Sequence, residues 1–184
     1  MPSAALDQDL IKTTLKTLIE HLGLHCDDVK TAEENGNILR VDIASSDASR
    51  LIGWHGETLN SLQHLTKAIV RTQQKLDHNP FIVLDVDGYR RMQEDKVRRI
   101  AEQKADFVRR TGNRIALSPM SPYFRRIVHL HVAETPALQD LTTESVGEGD
   151  YRQIVMRLKN EKNAGSEELS PVLAPDDDLG NLDV

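Results

Sequence analysis

Residues 49–60 read SRLIGWHGETLN, an amphipathic pattern broken by two glycines, Gly53 and Gly56. A glycine inside a helix costs roughly 0.5–1 kcal/mol relative to alanine, so a pair this close predicts a junction between two helices rather than a helix interior. Working outward, Asp47 to Ile52 reads as a short helix before the junction. Leu59, Leu62, Leu65 and Ile69 recur at helical spacing and predict a longer helix through Arg71 with that row facing the core. Upstream, Leu6, Ile11, Leu15, Leu18 and Leu22 form a helical stripe that Gly23 is placed to stop. Residues 37–44 (NILRVDIA) alternate apolar and polar, and Asn35-Gly36 is a turn signal, so residues 25–44 read as a β-hairpin. Phe81 to Val86 (FIVLDV) is a continuous apolar run, a strand buried on both faces or central in its sheet. The order is α-β-β-α-α-β.

From Gly88 the pattern changes. Tyr89, Val97, Ile100, Ala101 and Val108 give one apolar stripe of a long helix that Thr111-Gly112-Asn113 ends. A short strand over Arg114 to Leu117 precedes a helix from Ser121 to Val132, with Pro122 at its first position, and strands follow at 138–145 and 151–158. This is a second, small α+β unit.

The chain has 184 residues, a formal net charge of −6 and a single cysteine, Cys26. The length allows one sizeable core or two small ones. One cysteine excludes an internal disulfide framework and a cysteine-built zinc site, as expected of a reducing cytosol. No apolar run approaches the roughly 18–20 residues of a membrane helix, and the start MPSAALDQDL lacks the features of a signal peptide, so the expected location is the cytoplasm, away from the membrane. The negative average hides an asymmetry. Residues 49–130 hold 15 basic and 8 acidic side chains, whereas residues 161–184 hold 1 and 7 and have the composition of a solvated, disordered tail. A basic working surface flanked by acidic segments points to an anionic partner.

Between two consecutive helices, a glycine pair permits close backbone approach, and the second helix offers free N–H groups and the positive end of its dipole to an anion. A phosphate backbone fits there. A GxxG loop in the order α-β-β-α-α-β is that of a type II KH domain, which clamps single-stranded nucleic acid. Three stretches, LIGWHGETLNSLQHL, SPYFRRIVH and LTTESVGEGDYRQIVM, together resemble the Jag family of bacterial proteins, in which a KH domain is joined to an R-three-H domain. The resemblance covers roughly residues 25–158. It implies a KH domain with its N-terminal helix over 1–87, an R-three-H domain over 88–159 and an acidic tail over 160–184. It also implies binding of single-stranded RNA, a link to cell elongation and envelope growth, and pairing with a small single-KH companion or a second copy; single-stranded DNA is the other candidate ligand. The family's amino-terminal Jag domain and linker are not expected here.

Within that frame the candidate contacts are Gly53, Trp54, His55 and Gly56 in the loop. Members of the family usually carry basic residues between the glycines, so Trp54 and His55 leave fewer fixed charges for phosphate. Trp54 either stacks on a base or packs into the helix junction. Lys67 and Arg71, with His64, lie along one face of the following helix and either guide a strand or simply solvate the surface. Arg125 and His129, the pair that names the R-three-H domain, are i and i+4 near a helix N-terminus. They either meet a phosphate or hold a half-buried histidine to the core. Phe124 stands where the family commonly has Glu, which removes a capping-box partner for Ser121. Arg126 and Arg152, the latter beside Gly147 and Gly149, extend the set, and Arg109 and Arg114 are expected to be free to contribute. Glu94/Arg98, Asp95/Arg99 and Asp106/Arg110 are expected to pair along a self-neutralised helix face.

An enzyme is disfavoured. His129 and His131, at i,i+2, diverge on a helix and make no metal pair. No Walker loop, GxSxG elbow, Cys-His pairing or apolar-set carboxylate pair is present. No cofactor is expected. A protein adaptor that uses the KH fold for dimerisation is the competing class.

Overall fold

The computed structural model describes residues 6–34 and 38–160, which divide between two compact units, Met1–Arg91 and Met92–Val184. The Asn35-Gly36 turn and the acidic tail lie outside the described residues.

The first unit begins with α1 (Gln8–His21), started by the Asp7 carboxylate, which accepts from the Leu10 N–H at 3.0 Å. It ends where Gly23 turns left-handed (φ +68°) and the Leu24 N–H closes on the Ile19 carbonyl at 3.2 Å. The buried row of α1 is Ile11, Leu15 and Ile19, one residue off the expected stripe, and Leu22 is 54% exposed. On a continued helix Leu22 would lie within about 20° of Ile11, but α1 ends at His21 and Leu22 is its C-cap, beyond the buried row. Strands β1 (Asp28–Glu34) and β2 (Ile38–Ala44) pair antiparallel, with Val29 opposite Ile43 and Glu33 opposite Leu39. Next come α2 (Ala48–Ile52), a single 3-10 turn (Trp54–Gly56) and α3 (Glu57–Gln73). They cross back to β3 (Ile82–Val86), which lies parallel to β2, with Val41 opposite Leu84. The expected α-β-β-α-α-β order is the observed one, and the sheet order is β1-β2-β3. Strand β3 is an edge strand buried at all five residues.

One detail of α3 departs from expectation. Its buried row is Leu59, Leu62, Thr66 and Val70, while Leu65 is 50% exposed. Thr66 is tolerated inside because its hydroxyl donates to the Leu62 carbonyl at 2.8 Å, so no polar group is stranded.

Helix α4 (Tyr89–Thr111) carries Tyr89 against the first unit's core and Val97 onward in the second unit's. It is followed by β4 (Ile115–Ala116), α5 (Pro122–Glu134), β5 (Leu141–Val146) and β6 (Gln153–Leu158). The second sheet is antiparallel in the order β4-β6-β5. Val97, Ala101 and Val108 of α4, Phe124, Val128 and Val132 of α5, and Ile154 and Met156 of β6 form its core. The charged side of α4 is self-neutralised as expected, but in a shifted register. Glu94 pairs with Arg98, Asp95 also pairs with Arg98 at i,i+3, and Asp106 pairs with Arg109. Arg109 is not free: its guanidinium grips the Asp140 carboxylate and the Ala137 carbonyl and so ties the end of α4 to the approach of β5. Arg114 is half-buried and likewise engaged.

Candidate nucleic-acid interface

The loop between α2 and α3 is a left-handed corner. Gly53 (φ +75°), His55 (φ +49°) and Gly56 (φ +84°) all lie in the region that L side chains avoid. Gly53 is fixed twice over, because a Cβ there would run into the Thr58 side chain and stand 3.0 Å from the Thr58 amide nitrogen. The corner therefore packs directly on the first turn of α3. That helix starts at Gly56, which has no side chain to cap it, so the positive end of a 17-residue helix faces the loop with no side-chain cap bond, and Glu57 is the one acidic residue in its first turn. Trp54 is 76% exposed, and its ring meets that of His55 edge to face, with centroids 4.6 Å apart. The packing role for Trp54 is thereby excluded.

Lys67 and Arg71 sit about 16 and 22 Å along α3 from Gly56 at 1.5 Å per residue. They differ in state. Lys67 is half-buried, and burial, with a smaller contribution from the Arg90 charge, lowers its ammonium pKa. Arg71 folds back onto the chain after α3 and donates to the carbonyls of Leu76 (3.3 Å) and Asp77 (3.0 Å). Arg71, His64 and Lys75 line a shallow open depression at that end of the helix.

The open edge of β3 is closed by side chains. Leu84 directs both backbone groups away from β2: its N–H donates to Gln63 Oε1 at 3.0 Å and its carbonyl accepts from Arg90 Nε at 2.9 Å. Arg90 Nη2 also donates to Asn60 Oδ1 at 2.7 Å, joining α3 to the start of α4. Next to it, the fully buried Asp85 carboxylate accepts from the Arg90 and Arg91 amides at 2.8 and 3.3 Å and from Arg40 at 3.5 Å. A strand edge left open invites another chain, and here it is occupied. These residues carried no readable sequence signal, since their partners are remote along the chain.

In the second unit, Ser121 begins α5 with no side-chain cap, as Phe124 in place of an acid implies, and Phe124 is buried in the core instead. Arg125 Nη1 donates to the Met120 carbonyl at 2.9 Å and reaches the Arg152 carbonyl at 3.5 Å. No carboxylate pairs with Arg125 among the described residues. His129, one turn further on, places Nδ1 2.7 Å from the Thr143 hydroxyl of β5. Burial, and secondarily the Arg125 charge, lowers the His129 pKa from its ordinary value. Arg152 is exposed and its Nε donates to Ser145 Oγ at 3.0 Å. The structure thus brings Arg125, His129 and Arg152 together at one end of the sheet, and leaves Arg126 exposed on α5. His131 turns away to Glu102, at 3.0 Å. Among the described residues no group of three His, Cys, Asp or Glu could hold a metal ion. No helix among them is long and apolar enough to cross a membrane.

An α-β-β-α-α-β unit with a glycine-framed loop between adjacent helices, followed by an α+β unit with an Arg-xxx-His helix, makes this a protein of the class that joins a KH domain to an R-three-H domain. Family comparison agrees: residues 8–78 match the KhpA/KhpB KH domain, and residues 95–158 match the R-three-H domain. The chain is 31% identical over 157 residues to the RNA-binding protein KhpB of Clostridium symbiosum, an alignment covering 84% of this chain and 67% of that protein. It is 30% identical over 148 residues to the protein of the same name from Bacillus subtilis, covering 80% and 69%. With that of Lactiplantibacillus plantarum the identity is 34% over 109 residues, covering 59% of this chain but 32% of the relative. The chain belongs to the KhpB (Jag) family, which is without catalytic function.

Proposed function

We propose that the chain binds single-stranded RNA through two phosphate-gripping corners, one in each unit. The observation that carries this reading is the left-handed Gly53–Gly56 corner, which sets backbone against the uncapped N-terminus of α3 and holds Trp54 in solvent. A phosphate at that corner gains the helix dipole and backbone amides without needing a basic side chain, which accounts for a loop that has Trp54 and His55 between its glycines. The ring of Trp54 is placed to stack on a base.

In the R-three-H unit the contact set is Arg125, Arg126 and Arg152. Arg125 is held at one nitrogen by main-chain carbonyls and faces no carboxylate among the described residues, so its remaining donors are available to a phosphate. His129 acts mainly as a strut to Thr143. Lys67 and Arg71 belong to the set as a secondary track along α3, weakened by the burial of the first and the backbone bonds of the second.

The names of the relatives support RNA as the ligand, and the 2′-hydroxyl is what would separate it from DNA. The role we assign is post-transcriptional regulation linked to cell elongation or envelope growth in the cytoplasm, which rests on the family resemblance. The KH unit matches a domain family shared by KhpA and KhpB, which supports pairing with a small single-KH companion or a second copy. Ultraviolet crosslinking of the full chain in cells, followed by sequencing of the bound nucleic acid, tests the reading. Enrichment of RNA over an untagged control is expected, and capture of protein partners with no RNA above background would favour the adaptor instead.

A further inference from the structure

The two most exposed large apolar side chains among the described residues are Trp54 and Tyr151, the latter 83% exposed. Both sit in turns bent by left-handed glycines. Tyr151 closes a short 3-10 turn (Gly149–Tyr151) between β5 and β6, with Gly147 at φ +96° and Gly149 at φ +54°. The turn has no slack at Gly147, where a Cβ would stand 3.0 Å from the Tyr151 carbonyl oxygen and 3.3 Å from the Arg152 Cα. The Arg152 N–H closes on the Gly149 carbonyl at 3.3 Å, and the Arg152 carbonyl receives the Met120 N–H at 3.4 Å and Arg125 Nη1 at 3.5 Å. The backbone at Tyr151 is thus pinned on both sides while its ring is left in water, one residue from the carbonyl that Arg125 reaches.

An aromatic ring held out by a rigid turn next to two arginines is the arrangement that binds single-stranded nucleic acid, the ring taking a base face and the cations the backbone. We propose that Tyr151 is a stacking platform for one unpaired base of the strand whose phosphates meet Arg125 and Arg152. This inference rests on the RNA-binding reading above. The exposed Glu148 in the turn disfavours a phosphate at the ring, which leaves the uncharged face of a base as the group that meets it. Stacking needs no particular base, so the site adds affinity and little sequence preference.

The test uses the full chain with Tyr151 unchanged, Tyr151→Phe, Tyr151→Trp and Tyr151→Ala. Each is titrated with a labelled single-stranded oligouridine and with an abasic ribose-phosphate oligomer of the same length. Phe and Trp should bind oligouridine like the parent, while Ala should bind it roughly 5- to 150-fold more weakly, the loss of one stacked base. Parent and Ala variant should bind the abasic oligomer alike. An Ala variant as tight as the parent on oligouridine, or weakened equally on the abasic oligomer, overturns the platform and leaves the RNA-binding reading standing. Failure of the parent to bind oligouridine overturns that reading and this one with it.

Discussion

His129 and Thr143 are joined side chain to side chain, the imidazole Nδ1 lying 2.7 Å from the hydroxyl, and this contact ties α5 to β5. The half-buried ring is held below its ordinary pKa by burial first and by the Arg125 charge second. The folded state therefore binds its proton less readily than the unfolded chain, so stability should be constant well above pH about 6.5 and fall as pH drops below it. His129→Ala should lose roughly 1–2 kcal/mol, several degrees in Tm, and should flatten that part of the acid limb. Thermal melts from about pH 7.5 to about pH 5 check both, and an acid limb unchanged in the variant contradicts the assignment.

The loop is best probed at its second middle residue. Asp at Gly53 would collide with Thr58 as well as repel phosphate, mixing folding with binding. His55 sits at φ +49°, a conformation Asp tolerates better than most residues, so His55→Asp adds one negative charge with little backbone cost. We expect RNA affinity to fall by roughly 1 kcal/mol or more at low salt with Tm little changed. Equal RNA affinity in the folded variant would remove the KH loop from the binding surface.

Arg90→Ala should be a stability variant. It strands the Leu84 carbonyl and Asn60 Oδ1 inside the first unit, for a loss of about 1–3 kcal/mol. A urea midpoint equal to that of the parent would show that the closed edge of β3 does not depend on this side chain.

The acidic segment 161–184, with 1 basic and 7 acidic residues, should compete with RNA for the basic residues of 49–130. Removing it should tighten RNA binding at low salt and matter little at high salt, because exposed charges are screened over about 8 Å at physiological ionic strength. Equal low-salt affinities with and without the segment would dismiss the competition.

The elements were legible because their signals are local: the glycine pair, the capping glycines at 23 and 112, and the apolar periods set every helix and strand within a few residues. Errors came where tertiary packing chose between neighbouring rows. Leu22 fell outside because α1 ends at His21, and Thr66 and Val70 were taken over Leu65 and Ile69 because four-residue steps from Leu62 hold one face of α3 and a threonine can satisfy its hydroxyl on its own backbone. Long-range contacts were illegible because their partners are far apart in the chain. Nothing near Arg109 in sequence announces Asp140, and nothing near Gln63 announces the Leu84 amide. Tyr151 did carry a signal, an aromatic in a two-glycine turn, of the kind that singled out Trp54.

The central claim is that a folded chain binds single-stranded RNA with Arg125 on a phosphate. It is tested most directly by titrating a labelled single-stranded RNA with the parent and with Arg125→Ala between about 50 and about 200 mM salt. Binding by the parent should weaken linearly on a log-log plot. The variant should bind about 1–3 kcal/mol more weakly at low salt, with a slope smaller by roughly 0.7, the single-strand value for one phosphate. No binding by the folded parent at the lowest salt, or an Arg125→Ala variant with the parent's affinity and slope, would contradict the account.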